Sequence, residues 1–166
     1  MVIRLTQGSS YGSSGGDTTA TTAPDSATPI AASVYLPSPC NNYSTIADPT
    51  RLITSAGGLA CDNTFFTTVA ATPNYIRFIA PGGTQLATSP PNNANGNVCG
   101  TQVAGWTNVT YPSVAGQTVN AFVNYAYQGN PSYGYQYWVV VINCNGFYVF
   151  GIWAPPNCDY RYCTEP

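Results

Sequence analysis

Six cysteines, Cys40, Cys61, Cys99, Cys144, Cys158 and Cys163, are the residues whose type and spacing bear most directly on chemistry. Structural zinc sites use C-x(2–4)-C pairs or mixed Cys/His sets. This chain has no C-x-x-C and no histidine, so its pattern argues against a metal centre. A catalytic thiol needs a histidine partner or a basic neighbourhood that lowers its pKa. Arg161, between Cys158 and Cys163, is the one basic residue near any of the six in sequence. An even count without these features reads as three disulfides formed in an oxidising compartment. Arithmetic alone leaves 15 pairings open.

Other catalytic sets are scarce. Without histidine or lysine, no Ser-His-Asp, Cys-His or Ser-Lys arrangement is available. A carboxylate pair of the glycosidase kind is the remaining route. Beyond the first 39 residues its members are limited to Asp48, Asp62, Asp159 and Glu165. Asp48 reads better as a helix cap and Asp62 as a turn residue beside a bridge. Pro81-Gly82-Gly83-Thr84 lacks the spacing of a phosphate-binding loop and reads as a turn. The chain is therefore expected to be no enzyme and to need no cofactor.

Charge excludes other classes. Only 6 % of the 166 residues are charged, all four basic ones are arginine, and the net charge is −2. Nucleic-acid backbones are held by many Lys/Arg contacts, so no nucleic-acid partner is expected. No apolar run approaches the roughly 20 residues of a membrane span. The opening "MVIRL" is followed by "TQGSSYGSSGG", which lacks the apolar stretch of a signal peptide. Abundant Asn, Thr, Ser, Gly, Pro and Tyr suggest an extracellular surface.

The elements that must position these residues are mostly β. Residues 1–39 form a Ser/Thr/Gly/Pro-rich arm, extended or stalk-like, that has too little apolar surface to fold alone. From Cys40 the pattern changes. "NYIRFIA" (74–80) is a strand ended by Pro81-Gly82-Gly83, with "QLAT" (85–88) as its candidate hairpin partner. "SPPNNANGN" (89–97) reads as an exposed loop. "TVNAFVNYAY" (118–127) alternates, placing Val119, Ala121, Val123, Tyr125 and Tyr127 on one face. "YQYWVVVIN" (135–143) follows. Asn145-Gly146 then signals a tight hairpin, because both residues tolerate positive φ, and "FYVFGIW" (147–153) returns to Pro155-Pro156. A three-stranded C-terminal meander results. The sole helical signal is "ADPTRLITSA" (47–56), with Asp48 as N-cap and Pro49 at the first helical position. The expected fold is a small disulfide-stapled antiparallel sheet domain over 40–166 with little helix.

Two surface features remain. Asn42-Tyr43-Ser44 and Asn108-Val109-Thr110 are N-glycosylation triplets. Tyr125, Tyr127, Tyr133, Tyr135 and Tyr137 would line one face of two paired strands, with Trp138 on the other. Such a row is a candidate carbohydrate platform, although aromatic cross-strand pairs also simply stabilise sheets, and that plainer reading is preferred. Trp106 and Trp153 read as core or glycan-packing residues.

Several motifs then coincide. Cys99-Gly100-Thr101, the run Trp106 to Pro112, Val141 to Phe150, Ala154 to Cys158 and Tyr162 to Pro166 stand in that order. Upstream, "CNNYSTIADPTR" and "YIRFIAPGGTQLAT" extend the pattern. Together they resemble the eight-to-ten-cysteine extracellular domain of uromodulin and the zymogen-granule membrane glycoprotein family, over about residues 40–166. The resemblance implies the pairing Cys40–Cys144, Cys61–Cys158 and Cys99–Cys163. It also implies four further cysteines that pair among themselves; here their places hold residues such as Ser89, Val123 and tyrosines around 135–137. Asn108 falls in the family's W-x-N-x-T motif, and Asn42 lies near a family sequon. Relatives carry another sequon before Ala-Pro-Pro, and bacterial fimbrial adhesins grip glycans on this domain. This chain has Gly151-Ile152-Trp153 there, with no acceptor.

The resulting expectation is a non-catalytic, secreted or cell-surface module for adhesion, matrix structure or glycan display. Its partners are other extracellular proteins or glycans. One alternative is a subunit of an extracellular filament, whose arm adds a strand to a neighbouring copy. The other is a lectin-like carbohydrate-binding domain.

Overall fold

The computed structural model describes residues 33–66 and 72–166. Nearly all of the arm lies outside the described residues.

Among the described residues, nine strands build the unit from Ser33 onward: β1 (Ser44–Ile46), β2 (Asn74–Phe78), β3 (Gln85–Leu86), β4 (Val103–Thr107), β5 (Thr118–Ala126), β6 (Tyr137–Asn143), β7 (Tyr148–Ile152), β8 (Tyr160–Tyr162) and β9 (Thr164–Glu165). Seven form one sheet in the order β1-β2-β7-β6-β5-β4-β8, and β3 pairs with β9 in a second. The fold is mostly β, and the C-terminal meander is its centre: β5, β6 and β7 run antiparallel in sequence order. Asn145 (φ 60°) and Gly146 (φ 102°) make the β6–β7 turn, where a positive φ is required. The helical signal at 47–56 becomes a 3-10 turn, Pro49–Arg51, capped by the Asp48 carboxylate accepting from Thr50 N at 2.9 Å.

Three expectations need correction. "QLAT" is not the hairpin partner of β2. β2 already lies between β1, which pairs with it in parallel, and β7, which pairs antiparallel, so both of its edges are occupied. Gln85 and Leu86 pair instead with Glu165 and Thr164 of the tail. The sheet is also not purely antiparallel, because β4–β8 is a second parallel pair. Finally, the loop 89–97 is not uniformly exposed. Asn93 is 3 % exposed, and its side chain donates to Gln102 O and Ala126 O and accepts from Gly129 N. Those bonds pin the loop to the end of β5.

Strand alternation divides the main sheet into two faces. The inner face carries the main core: Ile76, Phe78, Val123, Tyr125, Val139, Val141, Phe150 and Ile152, closed by Leu86, Tyr160 and Tyr162. The outer face is covered in two places. Over β2, β7 and β6, the Cys40–Cys144 bridge packs with Leu36, Tyr43, Ile142 and Val149. At β4, Cys99–Cys163 packs with Ala104 and Trp106. Between these two covers, Phe122 of β5 and Trp138 of β6 remain 37 % and 55 % exposed.

Candidate functional site

The residues whose chemistry matters fall into three groups. The first ties the tail down. Cys40 is bonded to Cys144, Cys61 to Cys158 and Cys99 to Cys163, which leaves no free cysteine. The bridged residues are 104, 97 and 64 positions apart. Loops of that length give about 4 kcal/mol per bridge in the chain-entropy model.

Beside Cys99–Cys163 sits a buried ionic cluster that sequence reasoning missed. Arg51 and Asp62 are 3 % and 1 % exposed. Arg51 donates from both terminal nitrogens to the Asp62 carboxylate, at 2.8 and 2.5 Å, and also to Tyr162 O at 3.1 Å. Asp62 in turn accepts from Tyr162 N at 3.0 Å. Arg161 donates to Thr50 Oγ1, Cys99 O and the Asp48 carboxylate. Asp62 does open a turn beside the Cys61 bridge, its carbonyl accepting from Phe65 N and Phe66 N, and its carboxylate is in addition a buried anchor for the last strands. Asp48 has two functions, cap and ion-pair partner. Burial raises the Asp48 pKa, but hydrogen bonds from Thr50 and the Arg161 charge outweigh it, so the carboxyl lies below its ordinary value. Arg161 is pushed down by burial and by Arg51, against the pull of Asp62 and Asp48. A Cβ at Gly100 (φ +67°) would run into the Arg161 guanidinium, so a side chain there would expel it. The Asp48 and Asp62 carboxylates are thus each held by arginine.

The second group is the five tyrosines of the candidate carbohydrate platform, which differ widely in exposure. Tyr125 is fully buried and packs against Tyr160 and Tyr162, with centroids 4.8 and 6.3 Å away. Its hydroxyl has no hydrogen-bond partner among the described residues, and the neighbouring Tyr162 hydroxyl donates to Trp153 O at 2.7 Å. Burial pushes the phenols of Tyr111, Tyr125 and Tyr162 well above their ordinary value. Tyr127 and Tyr137 are half-buried, and Tyr133 stacks on Tyr127 at 4.9 Å. Tyr135 precedes β6 and is 72 % exposed. The inner-face parity that aligns Tyr125 and Tyr137 is the parity of the core, which is why Tyr125 is closed to any ligand while Tyr133 and Tyr135 stay exposed.

The third group is the exposed surface. Asn42 and Asn108 are both exposed. Asn108 follows the last residue of β4, where Trp106 is paired with Asn124 and Thr107 with Val123. Trp106 is half-buried, and its indole donates to Pro131 O at 2.8 Å. On the same outer face the Phe122 and Trp138 rings lie 4.0 Å apart at 35°. The amides of Asn124 and Gln136 flank them, Gln136 donating to Asn124 at 2.6 Å. Sequence alternation placed Trp138 opposite the tyrosines; it gave no sign that Phe122 would stack on it uncovered.

The sequence is similar to that of known proteins. The family model of the uromodulin-like domain matches residues 76–164. Uromodulin of Mus musculus is 27 % identical over 129 residues, covering 77 % of this chain and 18 % of its own length. The pancreatic secretory granule membrane major glycoprotein GP2 of Homo sapiens is 28 % identical over 130 residues, covering 77 % and 22 %. The corresponding protein of Canis lupus familiaris is 28 % identical over 132 residues, covering 76 % and 23 %. The chain thus spans about a fifth of the length of these relatives.

Proposed function

Since the chain belongs to the uromodulin-like domain family, we propose that it is a non-catalytic binding or structural module that displays N-glycans from Asn42 and Asn108. Its setting is extracellular, secreted or at the cell surface, as three disulfides in a β-rich uromodulin-like domain require. The observation that carries the reading is the division of labour just described. Asp48, Asp62, Arg51 and Arg161 are engaged with one another, and all six cysteines are bridged. The sequon asparagines, by contrast, face solvent.

Intact mass before and after enzymatic deglycosylation, and again after reduction, tests this reading. Glycan mass should be lost from the Asn42 and Asn108 peptides, and each bridge should take up two hydrogens on reduction. Unmodified sequons or accessible thiols in freshly isolated protein would overturn it.

A lectin-like reading is favoured by one observation, the Phe122–Trp138 pair. Stacked, exposed rings flanked by neutral amides suit the apolar faces and hydroxyls of a sugar. Under this reading, glycan-array binding is lost in Trp138→Ala and kept in Tyr135→Ala. A silent array would remove it.

A further inference from the structure

The described residues include three arginines, and two of them are paired with carboxylates: Arg51 with Asp62, and Arg161 with Asp48 and Asp62. Arg77 differs. Among the described residues it forms no ion pair, and its neighbours are rings. Its guanidinium carbon is 3.9 Å from the Phe147 centroid and 6.0 Å from that of Tyr43. One N–H donates to Tyr43 Oη at 3.2 Å. A guanidinium carries five donors in a fixed planar fork, so most of this one is available to a ligand.

Arg77 also lines a cavity of about 260 Å³, together with Ala80, Thr84 and Gln85 on one side and Gly146, Phe147 and Tyr148 on the other. No aspartate or glutamate is among the lining residues. The volume lies just below the roughly 300–1,000 Å³ of drug-sized sites, which suits a single sugar unit.

We propose that this cavity binds a carboxylate-bearing monosaccharide, a sialic or uronic acid, whose carboxylate pairs with the Arg77 fork. Planar guanidinium and carboxylate match in two parallel hydrogen bonds, and charge assistance makes these the stronger kind. Stacking on Phe147 holds the plane of the fork before the ligand arrives, so less side-chain freedom is lost on binding. The Thr84 hydroxyl and the Gln85 amide offer neutral partners for sugar hydroxyls. Phe78, Ile79 and Phe147 give the cavity an apolar lining for the sugar's C–H groups. The inference rests on the reading of the chain as a binding module and adds the ligand class.

The full chain is titrated by NMR with 3′-sialyllactose, glucuronic acid, lactose and a short acidic peptide. An acidic sugar should shift the resonances of Thr84, Gln85 and Phe147, while lactose leaves them unchanged. Arg77→Gln should weaken binding at least tenfold, Arg77→Lys less, and added salt should weaken the wild type. If Arg77→Gln does not fold, Gln85→Ala takes its place, with a smaller loss of affinity expected. Equal response to lactose, preference for the peptide, or unchanged affinity in the variants overturns the site. So does silence towards both acidic sugars. None of these results touches the glycan and disulfide masses on which the module reading depends, so the two fail separately.

Discussion

Neighbouring residues on β5 and β6 have opposite fates. Val123, Tyr125, Val139 and Val141 are at most 1 % exposed, on the inner face. One position away, Phe122 and Trp138 are aromatic, stacked and left in solvent. Both faces carry large apolar side chains, so hydrophobicity does not separate them. What separates them is cover. The inner face meets β3, β9 and the tail, which the ionic cluster and Cys99–Cys163 hold in place. Among the described residues, the outer face is roofed only where Cys40–Cys144 and Cys99–Cys163 lie over it. A sheet protein with few charges thus hides one aromatic layer and keeps a small one available.

That contrast can be broken from the inside first. Asp62→Ala leaves Arg51 buried without its carboxylate, and removing one partner of a buried pair costs about 3–5 kcal/mol. Chemical denaturation should show a loss of that size, with the C-terminal strands losing amide protection earliest. Tyr125→Ala, judged by the same measurement, should cost about 3–5 kcal/mol through the cavity it leaves. Tyr125→Phe should cost far less, since the ring does the packing and the hydroxyl meets no hydrogen-bond partner. If Tyr125→Ala were neutral, the inner face would not be a packed core.

Alkali provides the next test. Buried Tyr111, Tyr125 and Tyr162 ionise less readily than tyrosines of the unfolded chain. A raised folded pKa means that the unfolded state alone loses these protons above about pH 10, so stability is full below that value and falls as pH rises through it. Ultraviolet titration should find these phenols ionising only as the protein unfolds. Acid acts oppositely on Asp48, whose folded pKa is lowered. Its contribution is present above the ordinary carboxylate pKa of about 4 and fades as pH drops below it. Because the Asp48 side chain is 40 % exposed and so screened by solvent, this effect should be the smaller of the two.

The smallest effect belongs to the outer face. Phe122→Ala or Trp138→Ala should remove about 0.5–1.5 kcal/mol of ring pairing, visible as a small shift of the denaturation midpoint. A loss as large as that of Tyr125→Ala would mean that the outer pair is core as well, and the contrast between the faces would disappear.

The meander was legible in the sequence because its signals are local. Alternation over 118–127, the apolar run 135–143 and Asn145-Gly146 each act within a few residues, and β5, β6 and β7 lie where they point. The Asp48-Pro49 cap was legible for the same reason. β4, β8 and β9 were not, since "VAGWT", "YRY" and "TE" carry no alternation long enough to read, and they become strands only by pairing with segments far along the chain. The face shared by Val123 and Tyr125 was legible, and its structural reading was the preferred one, but the sugar-binding alternative stayed open because period two reveals that residues share a face and not which face is buried.

By itself, then, the sequence determined a β-rich extracellular domain with six cysteines, a central meander and neither histidine nor lysine, because composition and short-range dihedral preference are properties of the chain alone. The tertiary structure decided which face of β5 and β6 became core, that Arg51 and Arg161 met Asp62 and Asp48, and that Arg77 kept its fork beside a cavity. Each of those outcomes depends on segments tens of residues apart becoming neighbours, and the free energy of burying a side chain or a charge is set by what comes to lie against it.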